Sequence, residues 1–533
     1  MASILLPPRR LTFAFKVCVA VALVVVADIL FYQRQQFGGF IGLFALIWLV
    51  GTAFCAPALW RRRSAWIAAL CAVLAGGALV FDPSLLAWTL FWTALSMAAL
   101  LPATGRFDDG WRWFQRLLIH AVRSIAGPIA DVFRLRRIRR GRRVMSAVVA
   151  MLPVLVLPIA GSAVILLLFA LANPVIGDAL GAISLPEFSP TTIARSLFWA
   201  ILFTLVWGTL RPRRASQLLA TFDGSGDVTL AGVSLGSVTL SLVLFNLLFA
   251  LQNALDIAYL WGGLPLPDGM TLAEYAHRGA YPLIATALLA GLFVIVTLRP
   301  GSQTAANPRV RRLLVLWIAQ NILLVASTIL RTLDYVDAYS LTRLRIAALA
   351  WMGLVALGLV LICWRMLRGK SSAWLINSNL IAAGSLLMAF CFVDTGAVAA
   401  AWNVRHAREV GGRGTALDLC YLNAQRGSAL ISLVELEQRR LAPQFGARVR
   451  AVRHRVMADL AYQQNNGGWT WRNAQRLAAA RQRIGQQPDI PVPGQRDCAG
   501  RLMPPPEPQL TPDEAETPSP ATPPAPLTPE AQR

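Results

Sequence analysis

The residues with the most scope for chemistry are polar and charged side chains inside apolar stretches. Asn246, Asn253 and Asp256 are spaced by seven and then three residues, so a helix would carry them on one face. Gln320 and Arg331 share a face of a later apolar stretch in the same way. Polar residues cost free energy inside a membrane, so the pattern predicts either contacts between helices or a pocket for a polar or zwitterionic ligand.

We expect these residues to form one polar layer near the outer face of a membrane, with nearly balanced charges. The predicted layer consists of Asp28, Asn246, Gln252, Asn253, Asp256, Glu274, Tyr275, His277, Arg278, Gln320, Arg331, Asp334, Arg343 and Arg345. Two interpretations stay open at this point. The layer is either a set of salt bridges and hydrogen bonds between helices, or an outward-open pocket.

Catalytic motifs are mostly absent from the chain. Its four histidines stand in no paired metal-binding arrangement, and there is no Walker loop and no Cys-x-x-Cys. His277 lies three residues after Glu274, but no recognisable nucleophile accompanies this acid–base pair. We therefore expect no catalytic residue, no cofactor and no metal, and an enzymatic role is only a minor alternative.

The elements that must position these residues are apolar helices. Of the 533 residues, 56% are hydrophobic and 14% are charged, whereas an ordinary soluble chain is about 25% charged. Because a membrane-spanning helix needs roughly 20 apolar residues, we predict an all-α polytopic transmembrane bundle with a small C-terminal helical extramembrane domain. About eleven spans are predicted, at 13–33, 38–57, 64–81, 84–103, 144–172, 196–210, 233–261, 279–298, 313–333, 346–366 and 373–393.

The distribution of cations predicts how the chain is threaded. Lys and Arg number 50 against 27 acidic residues, a net charge of +23. A cytoplasmic N-terminus puts 27 of these cations in cytoplasmic loops and six in the short outer loops, as the positive-inside rule requires. We predict a multi-pass protein of the inner membrane with a periplasmic C-terminus. The lipid bilayer accounts for the cations, and we expect no binding of nucleic acid.

The largest cytoplasmic loop, 105–143, predicts an amphipathic helix in the membrane interface. Trp111, Phe114, Leu118 and Ile125 recur at helical spacing, and Pro128 is expected to interrupt the helix. An arginine cluster follows, made up of Arg134, Arg136, Arg137, Arg139, Arg140, Arg142 and Arg143. The cluster is either a topology determinant or a docking site for anionic lipid headgroups, and both interpretations stay open.

Five regions are predicted along the chain: four spans in 1–104, the basic loop 105–143, a seven-span core in 144–393, an outer helical domain in 394–485 and a proline-rich disordered tail in 486–533. Helical periodicity in the outer domain falls at 396–410, 415–425, 428–442, 447–463 and 469–484. Its apolar faces carry Leu430, Leu433, Val434 and Leu441, and Val449, Val452, Val456 and Leu460.

Two of the seven cysteines, Cys420 and Cys498, lie outside the predicted spans and on the outer side. An oxidising compartment favours their pairing in a disulfide. The alternative is a buried Cys420 and a free Cys498 in a mobile tail.

Several segments resemble an uncharacterised bacterial family of multi-pass inner-membrane proteins, known as a domain of unknown function. The similar segments are 251–263, 272–279, 402–408, 417–422 and 469–473. The resemblance covers roughly 230–485 and leaves out the first four spans and the proline tail. It implies that these segments belong together in an inner-membrane protein, and the family carries no activity to transfer.

The sequence therefore predicts an integral membrane protein of unknown activity. A non-enzymatic envelope scaffold or sensor is the first hypothesis, with another envelope protein as a possible partner of the outer domain. A transporter or lipid-handling protein that uses the polar layer is the alternative.

Overall fold

The structure is a computed structural model. It describes residues 13–32, 38–104, 107–139, 189–213, 218–219, 234–261, 306–485 and 493–503, and isolated positions within 158–165 and 285–293. The described chain is helical and contains no β-strand beyond an isolated bridge between Arg496 and Leu502. The all-α prediction is confirmed.

In the described residues, ten α-helices precede the outer domain. They are α1 (Phe13–Ala27), α2 (Phe40–Cys55), α3 (Arg63–Phe81), α4 (Leu85–Thr104), α5 (Gly110–Arg139), α6 (Pro190–Leu210), α7 (Leu235–Asp256), α8 (Pro308–Tyr339), α9 (Arg343–Arg368) and α10 (Ser372–Phe392). Two of them continue as π-helices, α1 into Asp28–Tyr32 and α7 into Ile257–Trp261. Five helices follow: α11 (Thr395–His406), α12 (Leu419–Ala424), α13 (Leu430–Glu437), α14 (Pro443–Asn465) and α15 (Trp471–Ile484).

Eight of the helices in the described residues are long and apolar enough to cross a membrane, namely α1, α3, α4 and α6 to α10. The apolar helix α2 is shorter, at 16 residues. Side chains such as Phe54, Ile67 and Ile381 are at least 65% exposed on these helices, as lipid-facing side chains are. The protein is a multi-pass membrane protein.

Nine of the eleven predicted spans coincide with these nine helices. The helix that contains the span predicted at 196–210 is longer than expected, since it begins at Pro190 and is capped by Ser189. The spans predicted at 144–172 and 279–298 lie outside the described residues apart from isolated positions.

Two of the apolar cores in the described residues hold the membrane helices together. Phe44, Trp48 and Phe91 are fully buried where α2, α3 and α4 meet. Gly42 lets α2 approach α3 closely, because a Cβ atom at this position would overlap the backbone nitrogen of Val80. Trp317 belongs to the second core, which α7, α8 and α9 form.

The outer domain has a core of its own. The five periodic segments correspond to helices α11 to α15, and the predicted apolar faces meet inside the domain. Its buried residues include Leu430, Leu433, Val434, Val449, Val452, Val456 and Leu460, and Leu441 packs against them. This part of the prediction is confirmed.

The helix α5 differs from its prediction at Pro128, which lies inside a continuous helix of 30 residues. The predicted interruption is wrong because contacts from the end of α6 hold this turn. Arg213 donates to the carbonyl of Gly127 over 2.9 Å, and Trp207 donates to Asp131 over 2.9 Å. These bonds offset the one backbone hydrogen bond that a proline removes.

Candidate functional site

The first member of the predicted polar layer, Asp28, lies apart from the others at the α-to-π transition of α1. Arg195 of α6 binds both of its carboxylate oxygens, with Nε at 2.9 Å from Oδ1. Trp199 donates to the same carboxylate over 2.9 Å. Arg195 was not among the predicted residues, since it precedes the span predicted at 196–210, and its side chain is 38% exposed.

The centre of the layer is the pair of Asp256 and Arg331, which joins α7 to α8. The carboxylate is fully buried and the guanidinium is 3% exposed. Gln252 donates to Oδ1 of Asp256 over 2.8 Å. Hydrogen bonds to charged groups are stronger than those between neutral groups inside a low-dielectric environment, so this contact ties the C-terminal parts of both helices together.

Amide side chains extend this contact along the same two helices. Gln320 donates to Oδ1 of Asn246 over 2.9 Å, and Asn246 donates to the carbonyl of Leu313 over 3.0 Å. Asn253 donates to the carbonyl of Gln320 over 3.2 Å. The bonded amides thus link α7 and α8 directly, which favours the interhelical interpretation of the layer.

The remaining predicted residues do not join this group. Asp334 is exposed. Arg345 donates to the carbonyl of Tyr339 over 2.7 Å and lies over the ring of Tyr335. Arg343 turns toward the outer domain and lies 3.7 Å from Asp394. Glu274, Tyr275, His277 and Arg278 lie outside the described residues.

Asp394 is the hub of a second charged cluster, where α10 passes into the outer domain. Its carboxylate caps α11 by accepting from the amides of Gly396 and Ala397. It also accepts from Ser428 over 2.8 Å and pairs with Arg476 of α15. Burial raises the pKa of Asp394, but Arg476 and these hydrogen bonds outweigh burial and hold the pKa at about 2.

Two further contacts join the outer domain to the membrane helices. Arg472 of α15 binds Asp82 beyond α3 at 2.5 Å and the carbonyl of Phe392 at 2.7 Å. The amide of Gly39, before α2, donates to the carbonyl of Trp469 over 2.5 Å. The loops next to α2, α3 and α10 therefore all meet the outer domain, and they are loops that the charge bias assigns to one side of the membrane.

A cleft of about 420 Å³ opens beside this junction, between the end of α8 and the loop after α11. It is lined by Val336, Asp337, Ser340, Trp402, Asn403, His406, Ala407, Arg413, Gly414 and Thr415. None of them belongs to the predicted polar layer. Asn403 fixes the cleft wall, because its amide exchanges hydrogen bonds of 2.7 and 2.9 Å with the backbone of Leu341.

The structure joins Cys420 and Cys498 in a disulfide with a Cα–Cα distance of 4.8 Å. The segment that contains Cys498 is also bound to α14. Arg448 donates to the carbonyl of Ala499 over 3.0 Å, and Arg455 donates to the carbonyls of Arg496 and Asp497. The start of the proline-rich region is thus attached to the outer domain.

At the opposite end of the bundle, α5 exposes its apolar stripe and buries polar residues. Phe114, Leu118 and Ile125 are more than half exposed, whereas His120 and Asp131 are buried. Burial, together with the nearby Arg213, lowers the pKa of His120 to about 4. The imidazole is therefore neutral at pH 7, and this face of α5 belongs to the protein core.

The predicted arginine cluster begins at the end of α5. Arg134 is exposed there. Arg136, Arg137 and Arg139 belong to the last turns of the same helix. Arg140, Arg142 and Arg143 lie outside the described residues.

The chain contains one spacing that is typical of serine hydrolases. Residues 232–236 read Gly-Val-Ser-Leu-Gly, a Gly-x-Ser-x-Gly pattern. In the structure Ser234 caps α7, where its hydroxyl accepts from the amide of Ser237 over 3.1 Å. This explains the serine as a helix cap. In the described residues, no group of three or more His, Cys, Asp or Glu side chains could hold a metal ion.

Comparison with known proteins places the chain in one family. Residues 64–436 match the family described as Domain of unknown function (DUF4153), and the chain belongs to this family. The match begins well before residue 230 and includes α3 and α4, so the expectation that all of the first four spans lie outside the family is wrong. No curated protein and no solved structure matches the chain.

Proposed function

We propose that this protein is a non-enzymatic scaffold or sensor of a bacterial inner membrane, which presents its outer helical domain in a fixed orientation. The observation that carries the proposal is the cluster around Asp394. One carboxylate binds the first turn of α11, Ser428 and Arg476, and these belong to three parts of the outer domain. Arg343 reaches the same carboxylate from α9.

The geometry of the membrane helices supports the same proposal. Asp256 and Arg331 are buried and bonded to each other, so their charges are used to hold α7 against α8. A transport path would need such groups to face water or a substrate. A rigid bundle that carries an outer domain suits the binding of another envelope protein better than it suits transport.

The junction can be tested with Asp394→Asn. Asparagine still caps a helix, but it removes the charge that Arg476 and Arg343 face. We expect a loss of about 1.5–3 kcal/mol, the usual value of hydrogen bonds to charged groups. The distance between nitroxide labels at the exposed residues Leu85 and Tyr462, in a background without the five free cysteines, should change from a narrow to a broad distribution.

The matched control is Asp418→Asn. Asp418 also caps a helix, by accepting from the amide of Tyr421 over 3.0 Å, and it has no ion pair within the described residues. We expect the control to keep the narrow distribution. Equal distributions in the two variants would contradict a junction that depends on Asp394 for its rigidity.

The proposed orientation places the N-terminus in the cytoplasm and the outer domain in the periplasm. A reporter that is active only in the cytoplasm should be active when it is fused after Arg143 or Arg312, and silent after Gly412. The charge bias of the loops is the physical reason. Activity of the fusion at Gly412 would reverse the proposed side of the outer domain.

We keep a transporter or lipid-handling protein as the second candidate because of one feature of the helices. Asp28 and Asp256 each lie where an α-helix passes into a π-helix, and such transitions are frequent at functional sites. Within the described residues, Oδ2 of Asp256 has no hydrogen-bond partner. Labelling of a cysteine placed at Gln252 by a water-soluble reagent, in a background without free cysteines, would favour transport.

We also propose that α5 lies on the cytoplasmic surface of the membrane. Its exposed apolar stripe suits the acyl chains, and its basic end suits anionic headgroups. Arg116 pairs with Asp108 at 2.5 Å on the polar side of the helix, whereas Arg134 near the end of α5 is exposed and available to lipid.

A further inference from the structure

The cleft beside the junction carries two charged side chains that have no ion-pair partner among the described residues. Asp337 and Arg413 both line it, and neither has an ion pair within the described residues. Arg343, Arg472 and Arg476, close by, are all paired with carboxylates. The cleft therefore offers one anionic and one cationic group to a ligand.

His406 adds a third polar group, and its ring has a defined orientation. Its Nδ1 lies 2.9 Å from the carbonyl oxygen of Trp402. A carbonyl only accepts, so Nδ1 carries the hydrogen and Nε2 is left for another partner. The imidazole stacks on the indole ring of Trp402, with the ring centres 4.0 Å apart. In this tautomer Nε2 can accept a hydrogen bond from an N–H donor of a ligand.

Backbone strain marks the same place. Ser340 has a φ of 69°, a backbone conformation that residues other than glycine rarely adopt. Its hydroxyl lies 3.0 Å from that of Thr415, and its carbonyl accepts from Arg345. Strained residues of this kind cluster at ligand-binding positions, where the surroundings hold them in place.

The position of the cleft along α8 matches the level of the lipid headgroups in a bilayer. At about 1.5 Å per residue, Asp337 lies roughly 37 Å along α8 from Arg312. The hydrocarbon core is about 30 Å thick, and the bilayer with its headgroup regions about 40–45 Å. If Arg312 marks the inner interface, Asp337 lies in the outer headgroup layer. A volume of about 420 Å³ holds a ligand of moderate size.

We propose that this cleft binds a zwitterionic headgroup in which a phosphate is joined to an amine, as in an ethanolamine phospholipid. Arg413 binds the phosphate, and Asp337 and Nε2 of His406 accept hydrogen bonds from the ammonium group. The inference rests on the proposed function, because it uses the outer domain at the membrane surface as a sensor of its lipid.

The test uses the full chain in nanodiscs of phosphatidylglycerol with increasing amounts of phosphatidylethanolamine. Native mass spectrometry measures the phosphatidylethanolamine retained by the protein. Asp337→Asn and Arg413→Gln should each weaken retention roughly tenfold, as the loss of one hydrogen bond to a charged group does. Asp337→Asn should spare the binding of inorganic phosphate, which carries no amine, whereas Arg413→Gln should weaken it.

Two matched variants serve as controls. Asp459→Asn changes an exposed carboxylate of α14 outside the cleft, and Arg405→Gln changes an exposed arginine of α11 outside the cleft. Both should retain phosphatidylethanolamine as the wild type does. Competition by soluble glycerophosphoethanolamine would show that a free zwitterion also binds, and its failure to compete would assign the site to the lipid.

Equal retention by the wild type, Asp337→Asn and Arg413→Gln would overturn the proposal. Since both residues are exposed, thermal melts should show that these variants fold normally. The outcome of the lipid-retention experiment is independent of the outcome of the junction experiment, which measures the distance between the labels. A narrow label distribution without lipid retention would leave the scaffold standing, and retention with a mobile junction would overturn only the fixed orientation.

Discussion

Replacement of Arg331 by alanine is expected to destabilise the protein by about 3–5 kcal/mol, since it breaks a buried ion pair from one side. The variant leaves Asp256 fully buried without its guanidinium partner. Protein purified in detergent should melt at a markedly lower temperature, and its expression should fall. A melt like that of the wild type would show that the pair is solvated.

A double variant separates the ion pair from simple packing. Asp256→Asn together with Arg331→Met removes both charges, keeps an amide near Gln252 and keeps most of the arginine volume. We expect it to recover much of the loss, because a buried ion pair costs desolvation that an apolar replacement avoids. Arg345→Ala is the control, since Arg345 binds backbone carbonyls at the partly exposed end of α8. It should have a smaller effect.

Removal of the disulfide is expected to destabilise the outer domain by about 4 kcal/mol in the chain-entropy model. Cys420 and Cys498 are 78 residues apart in sequence, so the bond restricts a long stretch of the unfolded chain. Cys420→Ser combined with Cys498→Ser should lower the denaturation midpoint, and reductant should lower that of the wild type in the same way.

The control for this prediction is Cys363→Ser, which changes a free cysteine of α9. It should leave the response to reductant unchanged. Mass mapping of protein made in intact cells, without reductant, gives an independent measurement. Two alkylatable thiols at Cys420 and Cys498 would contradict the disulfide. The hydrogen bonds of Arg448 and Arg455 to the same segment would then be its remaining attachment.

The sequence by itself determined the elements that depend on local patterns. The length of the apolar stretches located nine helices among the predicted spans. A membrane-spanning segment must form its backbone hydrogen bonds within itself and cover about 30 Å of hydrocarbon. Helical periodicity also located the core of the outer domain, including Leu433 and Val452. Apolar faces repeat at fixed intervals, so they can be read without knowledge of their partners.

Only the tertiary structure decided which charged residues meet. The sequence placed Asp28 and Asp256 in one layer, but Arg195 binds the first and Arg331 the second. Arg343 likewise meets Asp394, 51 positions later in the chain, and no periodicity relates them. A pair of charges depends on how helices pack, and packing is determined by the shapes of many side chains at once. The cleft between α8 and the loop after α11 exists for the same reason, since its lining residues come together only when the outer domain rests on the membrane helices.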